Sequence, residues 1–173
     1  TIQTQAEAVC ELFGSKKAEV ITLNSPLNGE ILDVKAIPDP TFADCVLGPT
    51  ICFKPGEDGT IYAPCDGTVT QIFKTAHAIT ITSTDKVELL IHVGINTVDL
   101  KGEGFEAFVK DDDVVKCGQP LIKFDQTVIA KAGLSNLVPV VICNAMDFNS
   151  IEFAGIQSVT TADKFCFITP SEK

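Results

Sequence analysis

The sequence is poor in the residue types that mark several protein classes. Among its 173 residues it has no tryptophan, one tyrosine, one methionine and only two histidines. No apolar run approaches the roughly 20 residues that a membrane-spanning helix needs, so we interpret the chain as a soluble globular protein. The 13 basic residues are outnumbered by 23 acidic ones, giving a net charge of −10. This charge argues against nucleic acid and against strong membrane binding, and it favours a basic protein partner.

Several common functional motifs are also missing. The chain has no Gly-x-Ser-x-Gly elbow, no phosphate-binding P-loop and no dinucleotide glycine pattern. None of its seven cysteines stands in a Cys-x-x-Cys or Cys/His zinc spacing. We interpret each cysteine as a small buried hydrophobic residue of a reduced, cytoplasmic protein. The cysteines are Cys10, Cys45, Cys52, Cys65, Cys117, Cys143 and Cys166.

Most of the chain has the pattern of short strands separated by turns. Runs such as GTVTQIF, AITIT and PVVIC alternate with Gly, Pro, Asn and Asp. The pattern predicts an all-β fold, an antiparallel β-sandwich or barrel-like hybrid with related halves and only short helices. One domain is expected over residues 18–173, after a linker or short N-terminal helix in 1–17. A second short helix is expected over 125–132.

A short internal repeat supports the idea of related halves. SPLNGEI (25–31) and APCDGTV (63–69) each combine a Pro-x-Asx-Gly turn with a following strand, 38 residues apart. We expect proline to preset φ in each turn and Gly29 and Gly67 to adopt a positive φ. Two copies of one supersecondary unit are therefore expected in the domain.

The two histidines lie in one predicted hairpin, HAITITSTDKVELLIHV. A two-residue loop at Thr84-Asp85 would pair His77 directly with His92, with Cβ atoms about 4.5–5.5 Å apart. A three-residue loop would shift the register. With the even loop, His77, Ile79 and Leu90 share an outer, solvent-facing surface with His92. The two imidazoles are therefore expected to meet on an apolar outer face, which is typical of a docking surface.

Two imidazoles are too few for a catalytic zinc site, which typically has three protein ligands. Near pH 7 an unperturbed imidazole is mostly neutral, and two neighbouring rings resist double protonation. One ring is then available as a nucleophile while the other donates a hydrogen bond. This leaves covalent chemistry at nitrogen, or half of a metal site completed by another protein.

Four segments resemble the glucose-family enzyme IIA domain of the bacterial sugar phosphotransferase system, and the resemblance runs from about Val20 to Ile168. The most specific segment is ELLIHVGINTVDLKGEGFEAFV (88–109). The others are IPDPTFADCVLGPTICFKP (37–55), FKTAHAI (73–79) and VKCGQPLIKFD (115–125).

The resemblance implies a phosphohistidine carrier with an antiparallel sandwich fold and no required cofactor. In that family the phosphoryl group comes from the histidine-containing phosphocarrier protein and passes to a cysteine of a transporter IIB domain. By the same resemblance His92 is phosphorylated at Nε2, His77 stabilises the phosphoryl group and Thr75 orients His77. The implied partner-binding residues are Phe42, Cys45, Val46, Phe73, Leu90, Asn96 and Val98.

Two other functions stay open at this stage. A regulatory module of the same family would dock permeases or metabolic kinases through the same face, and a zinc ion could be shared between His77, His92 and a partner. A lipoyl carrier is suggested only by Asp85-Lys86-Val87 at a hairpin tip. The sequence departs from the family at Asn96, where aspartate is usual, and at Ala76, where a polar residue is usual.

Overall fold

The computed structural model describes residues 19–171, and the predicted linker or helix in 1–17 lies outside them. The described chain is built mainly from short strands. They are β1 (Ile21–Asn24), β2 (Gly29–Leu32), β3 (Thr50–Pro55), β4 (Thr60–Tyr62), β5 (Gly67–Ile72), β6 (Ala78–Ser83), β7 (Glu88–His92), β8 (Phe105–Ala107), β9 (Val114–Val115), β10 (Pro120–Phe124), β11 (Val138–Ile142), β12 (Phe148–Phe153), β13 (Gln157–Val159) and β14 (Lys164–Pro170).

The helices of the described residues are short. Two are α-helical, Pro40–Ala43 and Gln126–Lys131, and three are 3₁₀ turns, Val34–Ala36, Thr97–Leu100 and Ala145–Asp147. The helix Gln126–Lys131 confirms the short helix predicted over 125–132. It begins after Asp125, whose carboxylate accepts the Thr127 N–H and so caps the first turn. No helix among residues 19–171 has the length and apolar character that crossing a bilayer requires.

The strands form three open antiparallel sheets. The largest has eight strands in the order β13-β2-β3-β11-β7-β6-β5-β9, and the smaller ones are β1-β14-β12 and β4-β10-β8. Strand β11 lies between β3 and β7 and is buried along its whole length. The predicted antiparallel β-sandwich with short helices is confirmed.

Two apolar clusters cover opposite faces of the large sheet. The main cluster fills the space between the sheets and includes Ile79, Leu89 and Ile91. The second is smaller and joins Phe42 and Ile95 to the other face of β11. Because this second cluster lies directly under the loops that follow β7, it supports the region around His92.

The two repeat segments lie next to each other and are joined by reciprocal backbone hydrogen bonds. The Asn24 N–H donates to the Pro64 carbonyl (2.9 Å), and the Tyr62 N–H donates to the Pro26 carbonyl (2.7 Å). Each segment leads into a strand, β2 or β5, as expected. The prediction that Gly29 and Gly67 need a positive φ is wrong, since neither has one.

Glycine is needed at these positions because another strand passes too close. A Cβ at Gly29 would lie 2.1 Å from the Lys54 carbonyl oxygen, and one at Gly67 would lie 2.4 Å from the Thr82 carbonyl oxygen. Both distances are far inside van der Waals contact, so only hydrogen fits.

The predicted register of the histidine hairpin is wrong by one residue. Ala78, not His77, lies opposite His92, and Ile79 lies opposite Ile91. The loop has three residues, because the Ser83 N–H donates to the Val87 carbonyl (2.9 Å) and Lys86 takes a left-handed φ of 70°. Such an odd loop shifts every pairing by one position relative to an even loop.

The new register also corrects the faces of β6. Ile79 and Ile81 belong to the main core rather than to the outer face, with exposures of 0% and 1%. The expected alternation along β7 is correct, since Leu89 and Ile91 are buried while Leu90 and His92 face outward. Ile79 therefore does not surround the histidines, whereas Leu90 does lie on their face.

The interpretation of all the cysteines as buried is correct for only part of the described set. Cys52 and Cys166 are fully buried, and loss of hydration raises the pKa of their thiols to about 11 and about 12. Cys45, Cys117 and Cys143 are exposed. Cysteine is small enough to occupy turns as well as cores, so its type alone does not predict burial.

Candidate functional site

His92 ends strand β7 and is held by the loop that follows it. Its Nδ1–H donates to the Gly94 carbonyl (2.7 Å). A carbonyl oxygen only accepts hydrogen bonds, so the proton of the neutral ring is on Nδ1. Nε2 therefore keeps its lone pair and is the nucleophilic atom of the ring.

The backbone around Gly94 is fixed by close contacts. Gly94 has a φ of 76°, and an added Cβ would lie 2.4 Å from Thr97 Cγ2 and 2.9 Å from the Ser135 carbonyl oxygen. The Gly94 N–H donates to the Leu137 carbonyl (3.0 Å), and the Ile95 N–H donates to the Ser135 carbonyl (3.1 Å). Glycine is thus needed to aim its own carbonyl at His92.

Two backbone N–H groups of this loop are not free to bind a phosphate. The Gly94 N–H is already bonded to the Leu137 carbonyl. The Val93 N–H is also engaged, donating to the His77 carbonyl (2.7 Å). Gly94 contributes to the site through its carbonyl oxygen instead.

His77 lies just before β6 and meets His92 despite the shifted register. The two ring centroids are 5.1 Å apart, with the planes nearly perpendicular at 79°. The hydroxyl of Thr75 contacts Nδ1 of His77. The pair is therefore oriented from both sides, by Thr75 at one ring and by Gly94 at the other.

The predicted solvent access holds for one histidine only. His92 is half-buried, whereas His77 is 4% exposed. Phe73 lies edge-on to the His77 ring, with centroids 5.3 Å apart. His77 thus lies beneath Phe73 at the end of the hairpin, just before β6.

Both rings are biased toward the neutral form. Loss of hydration, with a smaller effect of the neighbouring His92, lowers the pKa of His77 to about 4. Burial also lowers the pKa of His92, and the Gly94 carbonyl and the Asp39 carboxylate act in the opposite direction. A neutral His92 has the free lone pair that a nucleophile needs, and a neutral His77 still carries one N–H for donation.

Apolar side chains pack on the His92 ring or lie exposed in neighbouring segments of the chain. The ring of Phe42 packs on His92 with centroids 5.1 Å apart. Phe42 is only 6% exposed, so it supports His92 from below and does not lie on the partner-binding surface, where the resemblance had placed it. Val46 and Val98 are 70% and 50% exposed, and Phe73 is 37% exposed. Exposed aliphatic side chains of this kind are typical of a protein-docking surface.

Further residues of this surface come from the loops. Cys45 and Asn96 are exposed and have left-handed φ values of 55° and 60°, and Leu90 is half-buried beside His92. Sequence reasoning missed Leu47, which is 46% exposed, and Asp39, whose charge acts on His92. The apolar run Val46-Leu47 before a glycine was the available signal for Leu47. We call the following set of residues the docking rim: Cys45, Val46, Leu47, Phe73, Leu90, Asn96 and Val98.

The chain does not supply a complete metal site among its described residues. No group of three or more His, Cys, Asp or Glu side chains comes together within residues 19–171. Nδ1 of each histidine is already hydrogen bonded, so only the two Nε2 atoms could face a metal ion. A zinc ion shared with a partner therefore stays a prediction.

Comparison with known proteins gives a consistent picture. A family model described as "phosphoenolpyruvate-dependent sugar phosphotransferase system, EIIA 1" matches residues 21–148. A glucose-specific EIIA component of Oceanobacillus iheyensis is 38% identical over 154 residues, covering 88% of this chain and 93% of that protein. A beta-glucoside-specific EIIBCA component of Dickeya chrysanthemi is 44% identical over 150 residues, covering 87% of this chain and 22% of that protein.

A solved structure agrees with these sequence matches. The chain superposes on the glucose permease IIA of Mycoplasma capricolum with a TM-score of 0.79 and 28% sequence identity. The match covers 87% of this chain and 96% of that one.

Proposed function

The chain belongs to the EIIA 1 family of the phosphoenolpyruvate-dependent sugar phosphotransferase system, and we propose that His92 is its phosphoryl-carrying residue. In this proposal the chain accepts the phosphoryl group from the histidine-containing phosphocarrier protein. It then passes the group to a cysteine of a sugar-transporter IIB domain. The observation that carries the proposal is the His92 ring, whose Nδ1 is bonded to Gly94 while its Nε2 stays unprotonated beside His77.

The accepting step needs only one bond exchange. The lone pair of His92 Nε2 attacks the phosphorus in line, and the P–N bond of the donor's phosphohistidine breaks with its electron pair returning to the donor ring. The new phosphoimidazole keeps its proton on Nδ1. Positive charge that develops on the His92 ring is stabilised by the Gly94 carbonyl dipole at 2.7 Å.

The donating step reverses this exchange. A thiolate of the IIB domain attacks the phosphorus, the bond between phosphorus and Nε2 breaks, and the electron pair returns to His92 as a neutral imidazole. The lowered pKa of His92 supports this step, because a less basic nitrogen is a better leaving group.

His77 is proposed to stabilise the transferring group. The Thr75 hydroxyl can donate to Nδ1 of His77, which leaves the proton of the neutral ring on Nε2. An Nε2–H beside His92 can donate to a phosphoryl oxygen in both directions of transfer. Such a preorganised donor is effective because it is already shielded from water.

The docking rim is proposed to receive both partners in turn. Leu90 shares the face of His92, Phe73 packs on His77, and Val46 and Val98 are exposed in the segments that follow Phe42 and His92. A partner that covers these side chains would also exclude water from the reacting atoms. The net charge of −10 favours basic partner surfaces. Fusion to B and C components in the Dickeya protein supports a IIB domain as one partner.

The direct test is labelled phosphoryl transfer. The chain is incubated with labelled phosphoenolpyruvate, enzyme I and the phosphocarrier protein, and the acid-labile label on the chain is counted. We expect label on the wild type and none on His92→Ala. His77→Ala should accept label but release it slowly to a IIB domain. Label that persists on His92→Ala would show that the carrier residue is wrongly assigned.

A regulatory module that only docks partners is separated by the same assay. Such a module would bind a permease or kinase but would take no label in the wild type. If zinc is shared at that contact, adding Zn²⁺ should tighten binding of the wild type and not of a His77→Ala variant.

A further inference from the structure

The position of the His77 ring is not explained by the strand register. Ala78 is paired with His92 and Ile79 with Ile91, so simple alternation would turn His77 away from the His92 face. The ring centroids are nevertheless only 5.1 Å apart. The chain must therefore leave strand geometry just before β6.

The departure occurs at Ala76. Its φ is 56°, in the left-handed region, and it is one of the few non-glycine residues of the described chain with a positive φ. The Ala76 N–H donates to the Phe73 carbonyl (2.7 Å), and the Phe73 N–H donates to the Ala78 carbonyl (3.1 Å). These two bonds close a tight turn between β5 and β6.

Alanine gains nothing locally from this conformation. Its Cβ crowds the following carbonyl in the left-handed region, and it has no polar side chain to compensate. The surroundings hold it there, since Ala76 is 6% exposed and lies between the two hydrogen bonds of the turn. A strained residue kept in place by its neighbours is a common feature of functional sites.

The left-handed conformation of Ala76 sets the positions of its two neighbours, Thr75 and His77. It folds the chain back so that the Thr75 hydroxyl reaches Nδ1 of His77, two residues later. The His77 backbone is held in turn by the Val93 N–H, which donates to the His77 carbonyl (2.7 Å). The turn thus ties the His77 ring to the loop after β7.

We propose that Ala76 is a positioning residue for phosphoryl transfer, whose left-handed conformation sets the His77 imidazole beside Nε2 of His92. This inference deepens the proposed function and rests on it for its kinetic consequence. Its geometric content, that a left-handed residue 76 places one ring beside the other, does not depend on the phosphoryl chemistry.

Three variants test the inference. Valine at position 76 resists a positive φ because it is β-branched, whereas glycine and asparagine accept it readily. Lys86→Val is the matched control, because Lys86 also has a left-handed φ of 70° and lies exposed at the opposite end of the hairpin. The two readouts are the nuclear Overhauser contact between the imidazole protons of His77 and His92, and labelled transfer to a IIB domain.

Ala76→Val should lose the ring contact while His92 still accepts label. Passing the label on should slow by about 10-fold to 100-fold, the usual effect of displacing a catalytic group by about 1 Å. Ala76→Gly and Ala76→Asn should keep the ring contact and transfer at close to the wild-type rate. Lys86→Val should lower stability without changing either readout.

Several outcomes would overturn the inference. Wild-type ring contact and transfer in Ala76→Val would show that position 76 does not set the ring, and so would an equal loss in Lys86→Val. If Ala76→Val fails to fold, Ala76→Gly decides: loss of the ring contact there would show that the left-handed conformation is not what positions His77. If the wild-type protein accepts no label, the proposed function is refuted. The nuclear Overhauser contact between the two rings would still test the role of Ala76.

Discussion

The coupling between the two histidines leads to a quantitative prediction. In the unphosphorylated protein burial holds the pKa of His77 at about 4, so the ring is neutral near pH 7. Phosphorylation of His92 would place negative charge close to a ring whose centroid is only 5.1 Å from that of His92. The negative charge stabilises the imidazolium form, so the pKa of His77 should rise.

The size of the effect follows from Coulomb's law. One negative charge at about 5 Å, with an effective dielectric constant of about 20, stabilises an imidazolium by about 3 kcal/mol. Because each pH unit corresponds to about 1.4 kcal/mol, the pKa of His77 should rise by about 2, to about 6. A phosphoryl group carrying nearly two charges would raise it further. A pKa of about 6 leaves about a tenth of His77 charged at pH 7, and the second phosphoryl charge raises the charged, hydrogen-bond-donating fraction.

The assay is a titration of both imidazoles by nuclear magnetic resonance, before and after phosphorylation. His92→Gln, treated with the same donor proteins, is the control that takes no phosphoryl group. We expect the His77 midpoint to move upward in the wild type only. A His77 midpoint that is the same in both states would refute the coupling, since a charge at this distance must act on a ring so poorly hydrated.

Three further predictions concern stability and orientation. Because the pKa of folded His77 lies below its ordinary 6.5, the unfolded chain binds more protons between about pH 6.5 and 4, so stability present above pH 6.5 is lost as the pH falls. The loss should reach about 3 kcal/mol in urea unfolding, and a His77→Gln variant with an equally steep loss would contradict it. Gly94→Ala should lower the free energy of unfolding by about 2–4 kcal/mol, because the new Cβ would lie 2.4 Å from Thr97 Cγ2 in a residue with a left-handed φ. Gly118→Ala has the same left-handed strain but open space around it, so it should cost about 1 kcal/mol. Equal losses in the two variants would refute the contact with Thr97. Thr75→Val should slow donation to a IIB domain by about 10-fold with acceptance preserved, Thr75→Ser should restore it, and a fully active valine variant would remove Thr75 from the site.

The sequence was sufficient for the fold class but not for the exact pairing of the hairpin. Alternation along β7 correctly separated Leu89 and Ile91 from Leu90 and His92, because a half-buried strand shows its two faces directly. The loop length was not visible, because the left-handed residue that makes it odd is Lys86 and not glycine. A sequence pattern rarely indicates such a position for a long charged side chain.

The histidine pair was found for a partly mistaken reason. The expected even loop would have placed His77 opposite His92, whereas the structure brings the rings together through the turn at Ala76. An alanine in the left-handed region leaves no signal in composition or periodicity. The resemblance to a known family identified the residues correctly as neighbours even where the register argument failed.

The backbone hydrogen bonds of the site could not be predicted from the sequence either. Gly94 accepts the His92 Nδ1–H through its carbonyl, while its own N–H donates to the Leu137 carbonyl. Leu137 lies far along the chain from Gly94, on the other side of the helix Gln126–Lys131. Long-range partners of this kind are set by the assembled sheets and cannot be inferred from local pattern.

In the proposed mechanism, Nε2 of His92 is held unprotonated by the Gly94 carbonyl and carries the phosphoryl group beside His77. The most direct measurement is a nitrogen-15 and phosphorus-31 resonance experiment on the phosphorylated protein, which identifies the ring nitrogen bonded to phosphorus. We expect coupling to Nε2 of His92, with a proton on its Nδ1. Phosphorus on Nδ1 of His92, on His77, or on neither ring would contradict it.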